Sequence, residues 1–276
     1  MIPIIYSNIY KNNEKYRLAK MRAISAREKY RINSGPITSP VFSYLEKEDC
    51  YVVTYGFDKK TQLLGMYIKQ GDLKIVLIHR HRILGNQNFT AAHELSHVLF
   101  DDEDMFDICF PEGFSKDDNE ILADFFASHF LMPEEDILKE YNWGEIEVRK
   151  ENILKLSSKY KVSFIAMALR LYNLGLITFD VYQEYLRKSR KGKLKLKETC
   201  LIEGIDSLVF EAPKDAYISD NYISLLISAY HNANISKSVM VNHFIAFLEE
   251  NLETDLSKVV EQADATYPDE VGWDEL

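Results

Sequence analysis

Residues 86–104 read NQNFTAAHELSHVLFDDED, and the five residues HELSH at 93–97 decide how the rest of the chain is read. On an α-helix, residues four apart share a face. His93 and His97 can therefore aim both imidazoles at one cation while Glu94, one position round, stands beside the cation's open side. Zinc held by two histidines and a carboxylate keeps a fourth position for water. It lowers that water's pKa towards about 7, and a neighbouring carboxylate can take the proton during attack on a carbonyl. Glu94 is the candidate for that general base. The bland alternative is a pair of helix histidines spaced by chance, since a five-residue pattern with two free positions recurs in unrelated chains. The third ligand carries the decision.

In the extended pattern HExxHxxGxxH, the glycine and last histidine would fall at Phe100 and Glu103, so that class is not supported, and Glu103 stays as a rival ligand. A better candidate lies downstream in NEILADFFASHFLMP, residues 119–133. There Glu120 and Asp124 are four apart on one helix face, and the small residues Ala123 and Ala127 permit close approach of the first helix. Glu120 can complete a His2Glu set. Asp124 can accept the free ring N–H of a ligand histidine and fix its tautomer. His129, nine residues past Glu120, falls on the opposite side and reads as structural. A plain amphipathic helix, with Phe125, Phe126, Phe130 and Leu131 in the core and its acids solvated, would account for this segment in isolation. It would not explain why a carboxylate pair follows the histidine helix after a loop long enough to turn the chain round.

The surrounding chain is that of an ordinary globular protein, 276 residues with 46% hydrophobic and 28% charged, enough for one large domain or two of usual size. A net charge of -10 opposes broad attraction to nucleic acid or anionic lipid. Local basic stretches at 11–31 and 187–197 (RKSRKGKLKLK) read as solvated faces or linkers. Cys50, Cys109 and Cys200 are far apart with no CxxC spacing, which argues against a disulfide framework and for a reducing cytoplasmic setting. No apolar run approaches bilayer length, so neither secretion nor membrane insertion is expected.

Periodicity predicts a surface helix over 8–33, broken by NSGPITSP. Three short strands follow at 50–57, 63–69 and 73–81, expected to form a small antiparallel sheet with KIVLIHRH at 74–81 as its edge. The pattern turns helical at about Thr90. An acidic loop then leads to the 119–131 helix, and further helices are expected at 134–141, 144–160 and 162–174. Residues 200–212 (CLIEGIDSLVFEA) read as a strand or two, 219–252 as two amphipathic helices, and 261–276 as an acidic tail. The fold class is therefore α+β: a sheet packed on a two-helix metal site at 1–190, followed by a smaller mixed C-terminal domain at 195–276. That second domain is read as a substrate adapter, a sensor, or simply extra packing.

The pair NFTAAHELSHVLF and NEILADFFASHFLMP resembles the ImmA/IrrE family of cytosolic zinc peptidases, whose members typically join F-T-x-A-H-E-x-x-H to E-x-x-A-x-x-F-A-x-x-x-L-M-P. The ligand order is also similar to that of thermolysin-like zinc peptidases. The resemblance implies a zincin-type fold with Zn2+ held by His93, His97 and Glu120, Glu94 as base and Asp124 behind a ligand. It also implies action on a helix-turn-helix regulator of a mobile element or stress response. No helix-turn-helix domain precedes the peptidase section, so the regulator is expected to be a separate protein. Two rivals stand beside the endopeptidase: a fold-sharing binder that sequesters the regulator without cutting it, and a DNA-binding role for SKYKVSFIAMALRLYNLGL at 158–176, which the net acidity opposes. His79, His81 and Tyr67 are the candidates for stabilising the oxyanion.

Overall fold

The computed structural model describes residues 13–57, 63–101, 104–109, 118–140 and 149–248. Helix α1 (Glu14–Lys29) is capped by the Asn13 side chain, and α2 (Phe42–Glu46) leads into strand β1 (Tyr51–Tyr55). Strands β2 (Gly65–Gln70) and β3 (Leu73–His79) form a hairpin whose turn uses Gly71 at φ 57°, a conformation that favours glycine. Helix α3 (Leu84–Phe100), which carries HELSH, strand β4 (Met105–Cys109) and α4 (Asp118–Leu131) follow. Then come α5 (Glu134–Glu140), α6 (Lys150–Tyr160), α7 (Phe164–Asn173), α8 (Phe179–Arg190), α9 (Leu196–Glu203), a 3-10 turn at Leu208–Phe210, α10 (Asp220–His231) and α11 (Lys237–Leu248).

The fold is α+β, but its sheet is mixed. Among the described residues the strand order is β1-β3-β2-β4, with β1 parallel to β3 and the other pairs antiparallel. Neighbouring strands in sequence suggest hairpins throughout, whereas β1 pairs beyond its neighbour β2. This puts β3, expected at the edge, in the interior between β1 and β2. The outer side of β1 is met by backbone at 217–219, where Thr54 N–H donates to Tyr217 and Ser219 N–H to Val52. The other edge is β4, whose last residue Cys109 lies by His93 and Glu94 and which the acidic run around it concealed.

Helix α3 starts at Leu84, six residues before the expected Thr90. Its first turn has no side-chain cap of its own. Tertiary partners replace the cap: Leu84 N–H donates to Glu211, the Gln87 amide to the carbonyls of Arg80 and Arg82, and the Asn88 amide to Lys161. Gly85 is required by close approach, since a Cβ there would lie 2.5 Å from Ser163 N and 2.6 Å from Val162 C, both backbone atoms. Gly85→Ala should therefore lower stability by about 1–3 kcal/mol, the usual cost of overpacking. Chemical denaturation reads this directly, and an unchanged midpoint would show that the crossing has room for a methyl group.

Helices α1 and α4 pack on each other, and the small α1 residues Ala19, Ala23 and Ala26 share one continuous core with Phe126 and Phe130. Buried Arg27 donates to the carbonyls of Phe130, Asn33 and Gly35, tying α1 to the end of α4. Buried Arg170 on α7 does the same from the other side, reaching the Met132 carbonyl, Tyr16 Oη and His129 Nδ1. The 200–212 stretch forms α9 and the 3-10 turn where strands were expected. Cys200, Val209 and Phe210 join the main core, and a separate small cluster gathers about Leu226 and Met240. The 261–276 tail lies outside the described residues. No helix among the described residues is long and apolar enough to cross a membrane.

Candidate metal centre

Helix α3 is buried on most of its faces, and His93, Glu94 and His97 are each 2% exposed or less. Helix α4 packs against it, with Phe100 edge-on to Phe126 at 5.7 Å. That contact sets the two helices so that Glu120 reaches both histidines: its Oε2 lies 3.2 Å from His93 Nε2 and its Oε1 3.2 Å from His97 Nε2. The two Nε2 atoms are themselves 3.2 Å apart. Ligand atoms of His93, His97 and Glu120 thus converge on one point. Two imidazole nitrogens and a carboxylate of this kind are a borderline-soft N,O set that fits Zn2+ with a coordination position to spare.

Each histidine is oriented from behind. His93 Nδ1–H donates to Asp124 Oδ1 at 2.8 Å, and His97 Nδ1–H donates to Asp101 Oδ2 at 2.7 Å. Both rings are thereby fixed in the tautomer that turns Nε2 to the common point. Sequence reasoning found Asp124 and missed Asp101. The signal was present, because Asp101 is four residues past His97 at the end of α3, the same spacing that singled out Asp124 from Glu120.

The electrostatics of the group call for positive charge at its centre. Burial works against charge on His97, yet its hydrogen bonds to Asp101 and Glu120 outweigh this and raise its pKa to about 9. On His93 burial is likewise outweighed, by Asp124 and Glu120, leaving the ring well above its ordinary range, while Cys109 beside it stays a neutral thiol because burial pushes its own pKa up. Burial would raise Glu120, but the two histidines hold its carboxyl well below the usual range. A divalent cation supplies the same charge without the protons.

Glu94 is fully buried beside this group, on the sheet side of α3. Gly65 of β2 makes the room: a Cβ there would come within 2.5 Å of Thr90 Cγ2 and 3.2 Å of Glu94 Oε1. Cys109, opposite Gly65 on β4, was not singled out in the sequence because only the sheet pairing brings it in. Its thiol joins His93 and Glu94 in a second close group of ligand atoms.

Of the other sequence candidates, Glu103 lies outside the described residues. Tyr67 is buried, and Glu94 and Asp101 add to the effect of burial in raising its pKa. His79 and His81 pack edge-on to each other at 5.6 Å, with Phe57 5.5 Å from His79, and belong to neither metal-capable group among the described residues. His129 points away from the centre to Arg170 and Tyr16. Burial, with Arg170 and Lys20 nearby, lowers its pKa from 6.5 to about 2. A histidine depressed in the folded state stabilises fully above its unfolded pKa and less as pH falls below it. Wild type should therefore lose about 1.4 kcal/mol per pH unit relative to His129→Gln from pH 6.5 downward, read by urea titration at several pH values. A constant difference would show that His129 takes up a proton in the native state.

A search of curated proteins finds no match to the chain. The model of the IrrE N-terminal-like domain family, Peptidase_M78, matches residues 45–172. That span begins in α2, ends in α7, and contains the whole sheet and every residue of the centre just described. The match to the IrrE N-terminal-like domain model, whose span holds the His93, His97 and Glu120 cluster, therefore supports the ImmA/IrrE family that the two motif helices resemble.

Proposed function

We propose that this chain is a cytoplasmic zinc-dependent endopeptidase that cuts a separate regulatory protein, with a helix-turn-helix repressor or antitoxin-like regulator as the substrate class. The observation that carries the reading is Glu94, a carboxylate wholly buried beside a two-histidine, one-carboxylate cluster. A protein that only held its partner would have no use for a general base there.

Zinc bound by His93, His97 and Glu120 would supply Lewis acidity, polarising the scissile carbonyl and acidifying water. The chain's own groups do the rest. Glu94 accepts the proton of the attacking water and returns it to the leaving amine. Asp124 and Asp101 keep the imidazoles aimed and strengthen them as donors of electron density. The substrate segment lies extended along β4, the edge strand that ends at Cys109 beside Glu94, and pairs with its outward backbone groups. Such pairing requires an unfolded or locally opened stretch, so cleavage falls in a flexible segment of the regulator.

The DNA-binding reading of 158–176 is disfavoured by packing. Every residue of α7 is at least half-buried, including Arg170 and Asn173, so no face is left to enter a groove. The test is co-expression with a regulator encoded by a neighbouring gene, followed by mass spectrometry of fragments. Cleavage by wild type and an intact regulator with Glu94→Gln are expected. An intact regulator whose repression is relieved equally by both would favour the sequestering binder instead.

A further inference from the structure

We propose that His93, Glu94 and Cys109 form a second cation position that overlaps the first at His93, accepts thiophilic ions, and takes Glu94 out of use when filled. The proposal rests on the reading of His93, His97 and Glu120 as a metal centre, and its test separates the two. One ligand atom from each of the three side chains lies within 4.8 Å of the others, and all three residues are buried, Cys109 at 5% exposure. The arrangement comes from the sheet. Cys109 pairs with Gly65, and the missing side chain at Gly65 lets Glu94 stand against the strands where the thiol can reach it.

His93 Nδ1 is held by Asp124, so Nε2 is the nitrogen that either position must use. The two positions therefore compete, and the chain holds one ion at a time. The nature of the ion selects the position. Two imidazoles and a carboxylate suit Zn2+, while a thiolate with one imidazole and one carboxylate favours a softer ion such as Cd2+. Binding at the second position forms a sulfur–metal bond and releases the thiol proton to solvent, with no change of oxidation state. An ion there engages the Glu94 carboxylate, which then cannot accept a proton from water. Soft ions should accordingly inhibit by occupying the base, not merely by replacing zinc.

The experiment strips the full chain with a chelator, loads it with Cd2+ or Zn2+, and reads bound metal by elemental analysis together with the ultraviolet thiolate-to-cadmium charge-transfer band. Wild type should show the band with Cd2+, and Cys109→Ser should lose it while still taking up zinc as wild type does. Cys109→Ala, which keeps the pocket apolar, gives the same comparison if serine disturbs folding. Bound cadmium without a band in wild type, or a band of equal strength in both variants, overturns the second position even if zinc binds normally. Failure of wild type to take up zinc overturns the first position, and the cadmium band still reports on Cys109.

Discussion

Glu94→Gln should keep its zinc and its fold and lose cleavage by about 100- to 10,000-fold, the range that a positioned general base contributes. Glutamine has the same size and can occupy the space left by Gly65, so packing between α3 and the sheet is preserved. Its amide cannot take a proton from water or return one to the leaving amine. Removing a charge from a site of 0% exposure also removes a desolvation cost, so stability should hold or rise. Turnover of the regulator, or of a peptide spanning its cut, measures the loss, and metal content confirms an intact centre. A variant that cuts at the wild-type rate would mean that another group accepts the proton.

Glu120→Ala should abolish stable zinc binding, because it removes the carboxylate that reaches both Nε2 atoms. Asp124→Ala and Asp101→Ala leave every ligand in place and free one imidazole each, so each should weaken zinc affinity by roughly 10- to 100-fold. The two aspartates act on rings that share Glu120 and one ion, so the double variant should depart from the sum of the single effects in free energy. Competition with a chromophoric chelator gives all these affinities on one scale. If Glu103→Ala lost the metal while Glu120→Ala kept it, the third ligand would have to be reassigned.

The centre was legible in the sequence where helical spacing governs it. His93, His97, Glu120 and Asp124 are related by steps of four within single helices, and one helix-to-helix contact then suffices to bring them together. Asp101 obeys the same rule and was readable, but its place at the end of α3 hid it among acids that look like a solvated loop. Cys109 was not readable by any local rule, since it reaches His93 and Glu94 only through the pairing of β4 with β2. The same distinction runs through the fold. The helices and the β2–β3 hairpin carry local signals in their periodicity and turns. The parallel β1–β3 pairing and the start of α3 at Leu84 depend on distant partners, such as Lys161 for Asn88 and Glu211 for Leu84. Residues 84–88 (LGNQN) look like a turn until those partners are present, because glycine and asparagine disfavour a helix on their own.

The most direct test of the account is the metal content of the purified chain. Elemental analysis of protein prepared without chelators, or reloaded from dilute zinc, should find about one zinc per chain, lost in His93→Ala, His97→Ala and Glu120→Ala alike. A wild-type chain that folds normally and stays metal-free after zinc is supplied would contradict it.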